Sequence, residues 1–374
     1  MFLNDIVIFG DIRDMKKHKA LKIVLICIGG FLATVLTIVG AFLIFASVTT
    51  LKVQDVEDME VKGTVTTKVD KTNPIKLLTW NVGYGGLDEG QDCYLDGGVN
   101  VDAESASKVK ENISAISNKI KEIDPDIFYI QEADLNSRRS FYVNELKYFQ
   151  DNYPEDKYNN TYACNFKAGV VPLPLYNMTG KVEAGIAIFT KYQVSAAQRI
   201  QLPIPFSWPV SLFNLKRCLL INRTPIEGST KELVTINLHL EAYDDGEGKA
   251  KQLKQLMDIM KEEYQKGNYV IAGGDFNQTF SSVDLSKYPK MNDWVCPVIN
   301  VDDYPDFKFN MDETHPTCRS LYKTYADADK SNHQYYMIDG FITSNNITVN
   351  QIETIDLDFK NTDHNPVVMS ISLD

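Results

Sequence analysis

Residues 269–277 read YVIAGGDFN, a short apolar run that leads into an acid and an amide two positions apart. Read as a strand over Tyr269–Ala272, the segment delivers Asp275 and Asn277 at its end, where residues two apart in extended chain project to the same side. One can orient a water while the other's amide stabilises a phosphoryl oxygen. Other strands end in the same manner. Asn81 closes a strand over Lys76–Trp80, and Glu132 follows one over Ile127–Gln131. His239 follows Thr235–Leu238, Asp339 interrupts Met337–Ile342, and Asp363-His364-Asn365-Pro366 opens a last strand over Pro366–Ser372. Taken singly these are ordinary turn, cap or solvated residues. Together, at the ends of apolar strands, they stand where loops on a rigid scaffold carry sites.

The remaining strand candidates are Tyr162–Phe166, Gly185–Thr190, Cys218–Asn222, Leu233–Leu238, Ile338–Thr343 and Asn350–Ile355. Val109, Ile113, Ile116, Ile120 and Ile123 recur at helical spacing, as do Leu253, Leu256, Met257 and Met260, which predicts two one-faced helices. Many strands with few helices fit an α/β sandwich of two sheets flanked by helices better than a purely doubly wound parallel sheet. No Pro/Gly/Ser-rich break or fixed-period repeat divides Ile75–Asp374, so residues 75–374 read as one domain.

Ahead of that domain, 29 residues from Ile23 to Leu51 carry no charge, between Lys22 and Lys52. About 20 apolar residues cross a bilayer core, so 23–51 reads as one transmembrane helix. A cleaved signal peptide would have a shorter apolar region, of roughly 7–15 residues; a lipoprotein site at Cys27 fails because Leu25-Ile26 precede it early in the run. Arg13, Lys16, Lys17, Lys19 and Lys22 all lie before the helix. The positive-inside rule then makes residues 1–22 a cytoplasmic segment and places the domain outside, in a single-pass membrane protein. Residues 52–74, with no aromatic side chain and both charges, read as a linker, a flexible tether on the order of 25 Å long.

Five basic and three acidic residues precede Ile23, which leaves 33 against 47 and a net charge of −14 on the exported part. An acidic chain is a poor general polyanion binder, so no stable nucleic-acid partner is expected. Cys93, Cys164, Cys218, Cys296 and Cys318 are odd in number and contain no CxxC pair, which argues against usual zinc spacings and a disulfide framework. A single bridge such as Cys296–Cys318 stays open.

Glu132, with Asn81 beside it, offers oxygen ligands suited to Mg²⁺, which binds through one or two carboxylates plus substrate phosphate. His239 and His364 supply proton handling or cationic stabilisation near neutral pH, with Asp339 or Asp363 to fix a tautomer. At this point LLTWNVG, FYIQEAD, GIAIFTK, TINLHLE, VIAGGDFN, MIDGFI and TDHNPV, in order across the domain, resemble the endonuclease/exonuclease/phosphatase superfamily. That family includes deoxyribonucleases, apurinic endonucleases, neutral sphingomyelinases and inositol polyphosphate phosphatases. The resemblance implies a four-layer α/β sandwich and a divalent-metal phosphoesterase, using Mg²⁺ or alternatively Mn²⁺ or Ca²⁺. Carried over by position, Asn81 and Glu132 match the metal pair, with Glu132 the principal ligand. His239 and Asn277 match the residues that hold the phosphate, and Asp275 the one that positions or deprotonates water. Asp339 matches the orienting aspartate, and Asp363-His364 the terminal pair, with His364 as acid/base or transition-state stabiliser. In-line attack by water without a covalent intermediate follows.

Substrate is less legible. Arg138 and Arg139 are either bidentate donors to a second phosphate or a solvated helix start before Phe141–Phe149, and Arg319 in HPTCRS is a weaker candidate of the same kind. VVPLPLYNM (170–178) and LPIPFSWPVSLF (202–213) are unusually apolar for connections; they touch lipid, line a cleft, or fold back on the core. A tethered phosphodiesterase acting on a membrane-derived or small diester is the first expectation, an extracellular nuclease the second and a sugar or inositol phosphatase the third. A catalytically silent binding module is the reading from another class, and no residue pattern points to a protein partner. GYGG (83–86) lacks a dinucleotide site's third glycine, and DADKSN (327–332) lacks a calcium loop's central Gly and closing Glu. His315 and His333 read as structural, and the sequons at Asn112, Asn159, Asn177, Asn222, Asn277 and Asn346 as composition.

Overall fold

The structure, a computed structural model, describes residues 3–244, 246–288, 290, 295–326 and 328–374, with side chains from residue 17 onward. Met1, Phe2, the side chains of Arg13 and Lys16, and Asp327 at the head of DADKSN lie outside the described residues. The chain divides into two units, Met1–Thr49 and Thr50–Asp374. The first is one helix, α1 (Leu3–Thr49), whose Lys17–Thr49 part is long and apolar enough to cross a membrane.

The second unit is built on two mixed sheets. In chain order its strands are β1 (Val56–Asp58), β2 (Ile75–Asn81), β3 (Ile127–Asp134), β4 (Asn159–Val171), β5 (Gly180–Thr190), β6 (Ala196–Gln201), β7 (Cys218–Pro225), β8 (Glu232–His239) and β9 (Tyr269–Asp275). There follow β10 (Thr279–Phe280), β11 (Val298–Ile299), β12 (Phe307–Asn310), β13 (Cys318–Arg319), β14 (Tyr335–Tyr336), β15 (Asp339–Ser344), β16 (Ile347–Thr354) and β17 (Val367–Leu373). One sheet runs β1-β6-β7-β8-β9-β15-β12 and the other β16-β17-β2-β3-β5-β4; β10-β11 and β13-β14 form small ribbons. Leu77, Tyr129, Ile186 and Met369 from the second sheet meet Leu220, Leu233, Ile271 and Phe341 from the first in the central core.

Helices cover the outer faces. Ser105 caps α2 (Ala106–Ile123) by accepting from the Lys108 N–H, and Val109, Ile113, Ile116 and Ile120 pack on Leu78, Phe128 and Phe189. Leu146 and Phe149 of α3 (Glu145–Asn152) join that layer, while Leu253, Leu256, Met257 and Met260 of α4 (Glu247–Gln265) cover Val234, Ile236 and Val270. The result is the four-layer sandwich. Its central strands are buried on both faces, which is why β8 and β9 read as near-continuous apolar runs.

Residues 52–74 do not stand off as a free tether. Val56–Asp58 pairs with Asp58's partner strand β6, Lys62 bridges Asn160, and Val69 bridges Ile226 with its side chain fully buried. Alternating short apolar residues here add an edge strand, a signal hidden by the charged side chains between them. All six cysteines are free thiols, Cys296 and Cys318 among them.

A buried amide pair joins the sheets. Gln131 Nε2 on β3 donates to Thr79 Oγ1 (3.0 Å) and to Asn237 Oδ1 on β8 (2.7 Å), while Asn237 Nδ2 donates to the carbonyls of Ile130 (3.0 Å) and Ala187 (2.8 Å). Asn237→Ala orphans these groups at roughly 1–3 kcal/mol each, so it should destabilise the domain by ~2–4 kcal/mol, measured by denaturant unfolding. Glu263, on α4, opposes burial with hydrogen bonds from Arg223, Lys266 and Asn268, which bring its pKa down to about 2. A depressed carboxylate stabilises fully above its ordinary value near 4.5 and loses that contribution as pH falls toward 2. Glu263→Gln should therefore flatten the acid limb of the stability curve in that window.

Candidate active site

Strand register assembles the first three groups. His239 on β8 pairs with Asp275 on the parallel β9, and Asp275 pairs with Asp339 on the antiparallel β15, so one row across three strands ends in a histidine and two aspartates. β9 and β8 approach so closely that a Cβ on Gly274, at φ +146°, would lie 2.0 Å from the Leu238 carbonyl oxygen. That position requires glycine. On the opposite sheet Asn81 ends β2 beside Gln131, and the β3–β5 register slips between Ile130 and Ala133. Glu132 sits in this bulge at φ +57°, which turns its carboxylate out of the ladder toward Asn81.

The two halves meet through short contacts. Asn81 Nδ2 donates to Glu132 Oε1 and to Asp275 Oδ2, both at 3.1 Å, and its Oδ1 accepts from the Gly83 N–H at 3.0 Å. Asn81 thus bridges the carboxylates with its nitrogen, and its oxygen, which accepts one hydrogen bond from Gly83, keeps a second lone pair. Asp275 Oδ1 accepts the Asn277 N–H (2.8 Å), while Asn277, itself at φ +50°, donates its amide to the Leu240 carbonyl (2.9 Å). His364 Nδ1 donates to Asp339 Oδ2 at 2.8 Å, and its Nε2 lies 3.8 Å from Asp275 and 3.9 Å from Asp363. His239 Nε2 lies 3.4 Å from Asp275 Oδ2.

These environments separate the protonation states. Burial, followed by the charges of Arg217 and His364, holds His239 well below the ordinary histidine value, so it is neutral. Burial also opposes a charge on His364, but Asp339, with Cys318 and Asp363, outweighs it and raises that pKa well above the ordinary value. Asp275 is pushed up to about 7 by burial and by the Asp339 charge. One histidine is therefore neutral, the other cationic, beside a carboxyl poised near neutrality.

Several neighbours gave no motif-level signal. Trp80 Nε1 donates to the His364 carbonyl (2.9 Å), and Thr317 Oγ1 accepts the backbone N–H groups of Ile338 and Asp339 (2.9 and 3.1 Å), fixing both flanks of the dyad. Arg217, buried, lies 3.5 Å from Glu241 and donates to the His239 carbonyl. Of the arginines expected at substrate, Arg139 comes nearest: it grips Asp134 at 2.9 and 3.1 Å, stacks 3.9 Å over the Tyr84 ring and lies 3.9 Å from Glu132. Arg138 instead pairs with Asp102 and Asn177. Arg319 lies against the Leu87–Gln91 loop. Its buried guanidinium donates to the carbonyls of Leu87, Asp88, Gln91 and Ser320, because the Leu87–Gln91 loop turns its oxygens inward, and it is committed to holding that loop. His333 is buried against the Ser320 carbonyl and His315 lies 3.6 Å from Asp356, both away from this cluster.

The donor set suits a hard divalent cation. Carboxylate oxygens of Asp275 and Asp339 lie within 4.8 Å of one another, Asp339 Oδ1 is buried with no hydrogen-bond partner, and Glu132 keeps a partly exposed carboxylate on a strained backbone, while the cationic His364 beside them offers no lone pair.

The profile of the Endonuclease/Exonuclease/phosphatase family matches residues 78–354. Among solved structures, an endonuclease/exonuclease/phosphatase from Beutenbergia cavernae superposes with a TM-score of 0.53 at 16% identity, over 80% of this chain and 72% of that one. One from Bacteroides vulgatus superposes at 0.52 and 14% identity, over 81% of this chain and 100% of its own. No curated protein sequence matches significantly.

The protonation pattern predicts a bell-shaped pH–rate profile, rising as Asp275 loses its proton near 7 and falling as His364 loses its own at higher pH. Since the Asp339 charge raises both values, Asp339→Asn should move both limbs to lower pH; a profile that keeps its position would refute the assignment.

Proposed function

The chain belongs to the endonuclease/exonuclease/phosphatase family, and on that premise we propose a membrane-tethered, divalent-metal-dependent phosphodiesterase that hydrolyses its substrate by in-line attack of water. The observation that carries this reading is the His239–Asp275–Asp339 row closed by His364 at 2.8 Å from Asp339 and 3.8 Å from Asp275. Glu132, with Asn81 behind it, would hold Mg²⁺, which when bound supplies charge neutralisation at a phosphoryl oxygen.

The chain's own groups account for the rest. Asp275 accepts the proton of a water whose oxygen bonds to phosphorus as the ester P–O bond breaks. Neutral His239 and the second amide proton of Asn277 hold a non-bridging oxygen, and cationic His364, kept charged by Asp339, stabilises the added negative charge or protonates the departing alkoxide. Asp363, buried beside His364, supports its charge.

The helix α1 supports tethering by its length and composition, and the five basic residues before Ile23 support a cytoplasmic N-terminus with the catalytic domain outside. The acidic exterior favours a membrane-derived or small diester over polymeric DNA.

With bis(p-nitrophenyl) phosphate as substrate, chelator should abolish hydrolysis and Mg²⁺ restore it, while His364→Ala should lower kcat by about 10²–10⁴. A faster reaction with p-nitrophenyl phosphate would instead make the enzyme a monoesterase. Glu132→Gln should weaken Mg²⁺ binding in calorimetric titration with the fold retained. Protease added to intact cells should remove the domain from Thr50 onward; its protection would reverse the orientation.

A further inference from the structure

The two apolar connections frame the point where the catalytic unit begins. Its first residues are fastened between them: the Leu51 N–H donates to the Lys167 carbonyl (2.9 Å) on β4, and buried Lys216 donates through Nζ to Thr50 Oγ1 (2.6 Å) and the Leu51 carbonyl (2.8 Å). Three residues beyond Lys167 the first connection begins, and the second ends three residues before Lys216. Phe213 at the end of the second and Leu215 just beyond it pack on Phe166, Val171 and Val182 at the root of the first, so the two loops share one corner of the unit.

Both loops are held in shape, yet both present apolar side chains to solvent. Thr179 closes the first by donating N–H and Oγ1 to the Leu173 carbonyl (3.0 and 2.8 Å), and Asn214 Nδ2 donates to the Val210 carbonyl (2.9 Å) in the second. Nonetheless Leu173, Leu175, Tyr176, Trp208 and Val210 are 51–78% exposed. From Ala168 to Gly180 and from Ile200 to Leu215 there is no charged residue, while Lys167, Lys181, Arg199 and Lys216 bracket the two stretches. An exposed apolar surface rich in aromatic side chains is the chemistry of a membrane interface.

The loops also rim the catalytic end of the sheets. Asn177 accepts from Arg138 (2.8 Å), the neighbour of Arg139 at Glu132, while Leu202 donates its N–H to the carbonyl of Arg217, which reaches the His239 carbonyl.

We propose that the loops at Leu173–Met178 and Leu202–Phe213 insert into the outer surface of the same bilayer that α1 spans, and hold the catalytic rim against lipid phosphodiester head groups. This rests on the reading of α1 as a membrane anchor. Because Thr50 and Leu51 are fastened to the domain without a free spacer, the loops meet the bilayer at high effective concentration, and shallow insertion suffices.

The test uses Trp208 as its own probe. The full chain carrying Trp294→Phe is reconstituted into vesicles of phosphatidylcholine with plain or brominated acyl chains, after a carbonate wash that removes unanchored protein. Brominated lipid should quench at least about half of the Trp208 emission, identified as the component lost in Trp208→Phe, and Leu175→Asp with Val210→Asp should abolish the quenching. Those surface substitutions should leave hydrolysis of bis(p-nitrophenyl) phosphate within about twofold. Because the inserted stretches are uncharged, quenching should persist at 1 M salt, where the Debye length is about 3 Å. Protein retained on washed vesicles without quenching would overturn the docking alone. Loss of protein in the wash would overturn the anchor reading and the docking together. Quenching that disappears in high salt, or a Trp208 blue shift that grows with protein concentration in detergent, would overturn it in favour of a charged contact or a second copy of the chain.

Discussion

Two buried amides facing each other across the sandwich set the geometry of everything at its catalytic end. Gln131 and Asn237 bond from sheet to sheet; Gln131 also binds Thr79 on its own sheet, while every bond of the Asn237 amide crosses to the other, to Gln131 and to the carbonyls of Ile130 and Ala187. A hydrophobic core is tolerant of small sliding, because dispersion contacts have no direction. An amide pair buried between sheets is not, since a shift of one residue leaves four polar groups unpaired. The residue after Gln131 is Glu132, and two after Asn237 is His239. The clamp therefore fixes the separation of the carboxylate on one sheet from the histidine row on the other, and Asn81 completes the span by touching Glu132 and Asp275 at once.

Given that frame, the site's electrostatics follow from crowding. Asp275 and Asp339 are neighbours on paired strands, both buried, and burial together with the Asp339 charge opposes ionisation of Asp275. His364 resolves half of this by taking a hydrogen bond with Asp339 and carrying charge. His239 has no such partner on Nδ1 and stays neutral. Two histidines 125 positions apart in sequence thus acquire opposite states: burial and the charges of Arg217 and His364 prevail at His239, whereas Asp339, bonded at 2.8 Å, outweighs burial at His364.

Much of this was legible because chemistry-bearing residues sat at the ends of long apolar runs, and such runs declare buried strands without help from tertiary context. β2, β8 and β9 were found this way to within a few residues. What escaped detection depends on partners far away in sequence. The edge strand β1 and its neighbour β6 are short and mix apolar residues with polar and charged ones, and they exist because each has a neighbour to pair with. The bulge at Glu132 is invisible in FYIQEAD, since the slipped register belongs to the β3–β5 pair rather than to either strand. The surroundings of Arg319 were hidden for the same reason: only the path of the Leu87–Gln91 loop decides that backbone carbonyls accept from its terminal nitrogens.

Net charge raises a last question of balance. Around the site stand Glu132, Asp134, Glu241, Asp275, Asp339 and Asp363, against the half-buried Arg139 and the buried cations Arg217 and His364. Arg139 is spent on Asp134 and Arg217 on Glu241, so the carboxylates that face Asn81 and His239 keep an excess of negative charge. A phosphate ester entering alone would meet repulsion from groups within about 4–6 Å, which at a buried site is poorly screened. Proteins avoid such an arrangement unless something positive shares the pocket, and the oxygen-rich donors at Glu132 and Asp275 select a hard cation over a soft one. The crowding that lifts Asp275 to about 7 and the attraction for a divalent ion are thus two consequences of the same packed carboxylates.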